Sequence, residues 1–131
     1  MPVTYEIDRD RRLVRTRCAG AVTMAEVLGH FDELERDPAR PERLDVLLDL
    51  TGSTTLPGSD QLRTVAARIS AVRTPRFGRM AIVADRDSMF GMARMFGVFA
   101  EAYFTASKVF RDLPEAERWL SEPPGPARDA T

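Results

Sequence analysis

Two short apolar runs constrain the fold of this chain more than any other feature of its sequence. The first is LDVLLDL, from Leu44 to Leu50, and the second lies within RMAIVAD, from Arg79 to Asp85. Each run is short and flanked by glycine or proline, which is typical of a β-strand buried on both faces. Because a segment with helical spacing follows each run, the sequence predicts parallel strands connected by helices.

The remaining segments complete the order of elements. Val3–Asp8 and the segment RLVRTRCAG alternate apolar and polar residues, which predicts a β-hairpin. Thr23 and Glu26 have the spacing of a capping box, so the first helix is expected to begin there. Further helices are predicted from Ser59, over about 88–105 and from Asp112, with the short strand SKVF before the last. The expected fold is therefore α/β, with a mixed, mostly parallel sheet in the order ββαβαβαβα and flanking helices.

Length and charge narrow the classes of function. The 131 residues fit one domain, predicted at 1–120, followed by a flexible polar, proline-rich tail over 121–131. With 19 basic and 20 acidic residues the formal net charge is -1, so no nucleic-acid partner is expected. The single cysteine, Cys18, cannot form an internal disulfide, and neither a signal peptide nor a membrane span is visible. A cytoplasmic location is therefore expected.

The element order, together with LLDLTGSTTLPGSDQL and MAIVADRDSMFGMARMF, resembles the STAS superfamily and most closely its SpoIIAA-like branch. These stretches contain the third and fourth predicted strands, and the resemblance covers about Val3 to Leu120. It implies a regulatory or binding module whose fold is related to the lipid-binding CRAL-TRIO domains. In the regulatory members, a strand ending in Asp-Leu leads to an Asp-Ser-Ser-Gly loop, where a partner kinase phosphorylates a serine.

The loop after Leu50 departs from that phosphorylation pattern. Aligning Asp49 and Leu50 with the family's strand end places Gly58 where the modified serine usually stands. The resemblance therefore leaves Ser59 and Thr51 only as weak candidates for a phosphate acceptor in a partner switch. A helix N-cap explains Ser59 more simply, because a serine side chain can accept a hydrogen bond from a free amide of the first turn.

Three aspartates follow the buried runs at one edge of the predicted sheet. Asp49 is placed like the acceptor of a phosphoreceiver domain, and Asp85 and Asp87 would lie nearby if the crossovers are regular. A receiver also needs an acidic pair after its first strand to hold Mg²⁺, whereas Asp8 and Asp10 fall in a hairpin turn. We favour hydrogen bonds from loop amides to Asp49 over a metal site, and we expect the other two to cap the next helix or to complement its dipole.

Residues that usually carry catalysis are sparse in this sequence. The only histidine, His30, lies one turn from Glu26 and is interpreted as a surface residue beside the apolar stripe of the first helix. Cys18 lies on the apolar face of the hairpin and is predicted to be a small buried hydrophobe. No nucleophile elbow or cofactor fingerprint is present. We therefore predict no catalytic residue, no metal, no cofactor and no enzymatic activity.

The segment SMFGMARMFGVFAEAYFTAS, from Ser88 to Ser107, is the most informative for function. Arg94 and Glu101 are its only charged residues and fall on one narrow line, so most of the helix circumference is apolar. One sector can pack on the sheet, and the rest indicates deep burial, a homodimer contact, a regulatory partner, or a small hydrophobic ligand or membrane surface. The candidate contact residues are Met89, Phe90, Met92, Met95, Phe96, Phe99 and Tyr103.

Overall fold

The computed structural model describes residues 3–55, 57–71 and 76–122. The strands in these residues are β1 (Val3–Asp8), β2 (Leu13–Ala21), β3 (Arg43–Thr55), β4 (Arg76–Val83) and β5 (Ala106–Phe110). The α-helices are α1 (Met24–Arg36), α2 (Ser59–Ser70), α3 (Asp87–Ala100) and α4 (Leu113–Ser121), and a 3-10 turn over Glu101–Tyr103 follows α3. The predicted order of elements is confirmed in full.

The five strands form one sheet in the order β1-β2-β3-β4-β5. β1 and β2 pair antiparallel, with Val3 opposite Cys18, whereas every other neighbouring pair is parallel. This confirms the predicted mixed, mostly parallel α/β fold. Each of the first three helices connects a strand to the next strand in the same direction, so right-handed crossovers place α1, α2 and α3 on one face. α4 follows the last strand and packs on the opposite face.

We call the side under α1–α3 the helix-covered face and the side under α4 the second face. β4 shows how one apolar run serves both faces. Met80 and Ile82 belong to the core of the helix-covered face, whereas Ala81 and Val83 belong to the core beneath α4. All four side chains are buried. Burial on alternating sides explains why this strand reads as a continuous apolar run.

Two helices begin with the caps that the sequence predicts. At α1, the Thr23 hydroxyl accepts a hydrogen bond from the Glu26 amide, and the Glu26 carboxylate accepts one from the Thr23 amide. At α4, the Asp112 carboxylate accepts a hydrogen bond from the Glu115 amide at 2.8 Å. These bonds satisfy amides that the helices themselves leave unpaired.

β3 is longer than its apolar run predicts. It continues past Leu50 to Thr55, because its last residues pair with the end of β2 after a shift in register. Gly52 suits this pairing, since a Cβ there would lie only 3.2 Å from the carbonyl oxygen of Cys18. The segment from Thr51 that we expected to be a loop is therefore a strand over its first half.

The third and fourth helices also end differently from the predictions. α3 ends at Ala100, short of the expected 105, and Phe104 after the 3-10 turn has extended backbone angles. α4 includes Ser121, the first residue of the predicted tail, while residues 123–131 of that tail lie outside the described residues. No helix in the described ranges is both long enough and apolar enough to cross a membrane.

Candidate functional site

The candidate contact residues of α3 lie mostly within the fold. Met89 and Phe96 are buried in the core of the helix-covered face. Half-buried side chains that pack against this core are Phe90, Met92, Met95 and Phe99. Tyr103, which lies beyond the end of α3, is 39% exposed. Val98, on the outer side of α3, is 64% exposed. Packing inside one chain thus accounts for much of the apolar circumference that the sequence shows.

Basic side chains cover two of the half-buried aromatic rings. The guanidinium of Arg63, on α2, lies 5.1 Å from the ring centre of Phe99. The guanidinium of Arg111 lies 4.1 Å from the ring centre of Phe90. Contacts of this kind are favourable because the ring face carries partial negative charge. The outer aromatic groups of α3 are therefore partly covered without a second protein.

An apolar cavity of about 70 Å³ lies between the sheet and the helices of the helix-covered face. Of the seven candidate contact residues, only Met92 and Phe96 line it. The other lining side chains come from the sheet, the first two helices and the loops, with Ala93 from α3. They are Val3, Val14, Thr16, Cys18, Val22, Val27, His30, Phe31, Val46, Leu48, Leu50, Pro57, Leu62, Val65, Ile69, Met80, Ile82, Ala93 and Phe104. None of these side chains is charged.

His30 lies against the sheet, so our assignment of this residue to the surface is wrong. Its ring lies 5.2 Å from that of Tyr5 and 5.3 Å from that of Phe31, between ring centres. Its Nε2 atom is 3.2 Å from the Thr16 hydroxyl oxygen. The reason is helical geometry: position 30 is three residues after Val27 and four before position 34, both on the apolar stripe. Glu26, the predicted partner, bonds instead at the helix cap.

Burial keeps the polar groups that line the cavity uncharged at neutral pH. Desolvation lowers the pKa of His30 to about 4. It also raises the pKa of the Cys18 thiol to about 12, with smaller contributions from the charges of Asp49 and Glu26. The prediction that Cys18 is buried is confirmed. A neutral imidazole, a thiol and the Thr16 hydroxyl are therefore the polar groups available inside the cavity.

The two weak phosphate-acceptor candidates lie in different settings. Ser59 is the exposed first residue of α2. The N-cap is Gly58, so the prediction that Ser59 caps this helix is wrong by one residue. Thr51 is half-buried in β3, where its amide and hydroxyl donate hydrogen bonds to Asp49 Oδ1 at 2.9 and 2.7 Å. This confirms the predicted bonding of Asp49 to a nearby amide.

The other two aspartates, Asp87 and Asp85, lie in different surroundings. Asp87 lies in the first turn of α3, where its carboxylate complements the helix dipole and accepts a 2.7 Å hydrogen bond from Arg111. Asp85 is exposed, and the N-cap of α3 is Arg86, so the expectation that one of these aspartates caps the helix is wrong. In the part of the chain that the structure describes, no three His, Cys, Asp or Glu side chains are placed to hold a metal ion.

Comparison with known proteins places this fold in a family. The sequence model of the SpoIIAA-like family matches residues 13–121. The chain belongs to the SpoIIAA-like family. A crystal structure of an uncharacterised DUF3478-family protein from Shewanella loihica, described as having a SpoIIAA-like fold, is similar with a TM-score of 0.59 and 20% identity. The similarity covers 90% of this chain and 91% of that one. No match was found among curated proteins.

The family and the fold make this chain a STAS-like domain, as its sequence motifs predict. The SpoIIAA-like domain also has a polar groove, on the part of the second face beside α4. Lining side chains of both charges include Glu6, Arg15, Arg17 and Asp49, and Leu113 of α4 also lines the groove. The groove is therefore chemically opposite to the apolar cavity on the other side of the same sheet.

The two polar residues that line the cavity beside Cys18, Thr16 and His30, were not predicted as site residues from the sequence. Thr16 was identified only as part of an alternating strand, and His30 was assigned to solvent. The spacing between Val27 and His30 was the available signal, because residues three apart share a helix face. The cavity itself left no local signal, since its walls come from segments far apart in the chain.

Proposed function

We propose that this SpoIIAA-like domain is a non-enzymatic binding module that takes a small apolar or amphipathic molecule into the cavity of the helix-covered face. The observation that supports this is the cavity itself, because the described side chains that line it are apolar except for three neutral polar ones. Small-molecule sites are typically concave and mostly apolar, with a few polar groups that fix orientation. The proposal refines the candidate site from the outer surface of α3 to its inner side.

The size of the cavity limits what it holds without rearrangement. A cavity of ~150 Å³ with apolar walls is known to admit benzene or xenon, and the cavity here is about half as large. Benzene and larger ligands would therefore enter only with an outward shift of α3. Met92 and Phe96 lie on that helix, and the unbranched side chain of methionine repacks readily around different shapes.

An outward shift of α3 would change the outer surface of the protein when the cavity is occupied. Met95 and Phe99 are half-buried at the margin of the core. Their further exposure would enlarge the apolar surface offered to a membrane or a regulatory protein. Binding inside the fold would thus be coupled to contacts outside it, because one helix forms both surfaces.

A cavity-filling variant tests the proposal. Val65 lines the cavity and is buried, so Val65→Ile adds one methylene group to the available space. Val83→Ile is the matched control, since Val83 is equally buried but belongs to the core beneath α4. We expect NMR titration with benzene to show saturable binding to the wild-type protein and to Val83→Ile. Binding to Val65→Ile should be weakened at least several-fold.

The two variants also differ in expected stability. Filling a cavity commonly stabilises a protein by about 0.5–2 kcal/mol, whereas an extra methylene in a packed core costs about 1–3 kcal/mol. Equal benzene affinity in wild type and Val65→Ile, with shifts elsewhere in the protein, would refute this location for the site. If benzene does not bind the wild-type protein at any concentration up to its solubility limit, the proposed function is refuted.

A further inference from the structure

One side chain that lines the cavity carries a buried polar atom without a partner among the described residues. His30 lines the cavity, and its Nδ1 atom is buried without a hydrogen bond from or to any residue that the structure describes. The other ring nitrogen, Nε2, is occupied by the Thr16 hydroxyl at 3.2 Å. Polar atoms buried in proteins are nearly always hydrogen-bonded, so an unpartnered one on a cavity-lining side chain indicates where a ligand group would bind once the ring or α3 moves to admit it.

The chemistry of a neutral imidazole specifies which ligand group fits. If Nε2 carries the proton, it donates to Thr16 and leaves Nδ1 as an acceptor. If the Thr16 hydroxyl donates to Nε2, then Nδ1 carries the proton and is a donor. A hydroxyl group both donates and accepts, so it satisfies Nδ1 in either tautomer. A ketone would satisfy only the donor form.

The rest of the lining excludes charged ligand groups. Among the described residues that line the cavity there is no Asp, Glu, Lys or Arg side chain. A carboxylate would therefore enter without a counter-charge, and burial of an unpaired charge is strongly unfavourable. Because the pKa of His30 is lowered to about 4, the imidazole stays neutral near pH 7 and supplies no positive charge.

From this geometry, and resting on the proposed function, we infer that the cavity selects small apolar molecules with one neutral hydroxyl group, which bonds to Nδ1 of His30. Small alcohols and phenols belong to this class, whereas free carboxylates and plain hydrocarbons do not. His30 then determines specificity, and Thr16 positions its ring. The aromatic contacts with Tyr5 and Phe31 hold that ring in place.

Phenol and toluene provide a matched pair of probes, since a hydroxyl in one replaces a methyl group in the other. Each is titrated by NMR against wild type and His30→Phe, a substitution that keeps an aromatic ring and removes both nitrogens. We expect the ratio of phenol affinity to toluene affinity to fall about fivefold or more in His30→Phe, which corresponds to the loss of one hydrogen bond. Benzoate at pH 7 should bind neither protein.

An NMR measurement on the wild-type protein keeps the inference testable even if His30→Phe does not fold. Phenol should shift the ¹⁵N resonance of His30 Nδ1, because a hydrogen bond forms at that atom, and toluene should shift it far less. An unchanged affinity ratio in folded His30→Phe, or equal ¹⁵N shifts with both probes, would overturn the inference. Toluene would still bind in those cases and the proposed function would stand. If neither probe binds the wild type, both proposals fail.

Discussion

The two faces of the sheet are buried by different kinds of contact. The helix-covered face is held by apolar side chains from three helices and contains a cavity. Among the described elements only α4 covers the second face, and it combines a smaller apolar core with an ion pair from Arg15 of the sheet to Glu117 of the helix. Apolar contacts have no required direction, whereas hydrogen bonds and ion pairs fix one geometry. The first face can therefore repack more readily, whereas the second holds its helix in place.

Arg79 shows how the second face fixes α4. Its guanidinium donates hydrogen bonds of 3.1, 2.8 and 3.0 Å to the carbonyl oxygens of Trp119, Leu120 and Glu122. It also pairs with the Asp45 carboxylate at 3.1 Å and lies 5.6 Å from the ring centre of Trp119. The last carbonyl groups of a helix lack partners within the helix. One side chain from β4 thus satisfies the end of α4.

The largest expected effect compares two phenylalanines of nearly equal burial. Phe96 lines the cavity on the helix-covered face, and Phe110 packs against Trp119 on the second face. Each change to alanine should lower the free energy of unfolding by about 3–5 kcal/mol. Phe96→Ala should fall at the lower end, since a side chain beside a cavity has fewer contacts to lose. Urea unfolding measures both values.

A cost for Phe96→Ala equal to or above that of Phe110→Ala would contradict the looser packing of the helix-covered face. Circular dichroism and an NMR fingerprint serve as controls that both variants fold. A conservative pair, Phe96→Leu and Phe110→Leu, repeats the comparison if either alanine variant does not fold.

A change of pH tests the helix-covered face separately. The pKa of His30 is about 4 in the folded protein, below the ordinary value of 6.5, because burial disfavours the charged ring. The unfolded chain therefore binds more protons between these values, so stability is full above pH 6.5 and falls as pH drops toward 4. The loss is about 3 kcal/mol at most, from ~1.4 kcal/mol for each pH unit.

The variant His30→Phe should remove this part of the pH dependence of unfolding. Asp8 and Asp37 have pKa values below their ordinary value of 3.8, Asp8 mainly through the Arg11 amide and Asp37 mainly through the Tyr5 hydroxyl. Their contribution to stability is lost only at lower pH, so it does not obscure the window of His30. Identical pH profiles for wild type and variant between pH 4 and 6.5 would show that the ring is not buried in neutral form.

The sheet was predictable because its signals are local. The run from Met80 to Val83 is apolar at every position, and this indicates a strand buried on both faces without knowledge of its neighbours. Thr23 and Glu26 similarly contain the whole capping box within four residues. Such features are read correctly because the interacting groups are close in sequence.

The features that were not predicted from the sequence mostly depend on contacts between segments far apart in the chain. The extension of β3 to Thr55 depends on its pairing with β2, and residues 51–55 lack an apolar run that would predict a strand. The hydrogen-bond partner of His30 is Thr16 on β2, 14 residues away, although the spacing from Val27 indicated locally that the ring faces the sheet. The cavity depends on imperfect packing among side chains that no short window contains. Site residues were thus harder to predict than the fold that holds them.

The smallest expected effect compares two arginines on the second face. The Arg79 side chain is 15% exposed, and Arg79→Met would leave the Asp45 carboxylate and three carbonyl oxygens without this partner. We expect a loss of about 2 kcal/mol in the free energy of unfolding and faster hydrogen exchange in α4. Arg15 is 33% exposed and pairs with Glu117 and Asp8, so Arg15→Met should cost less than about 1 kcal/mol and less still in high salt. Equal losses for both variants would mean that α4 is fixed by its apolar core alone, and the two faces would then differ in composition but not in rigidity.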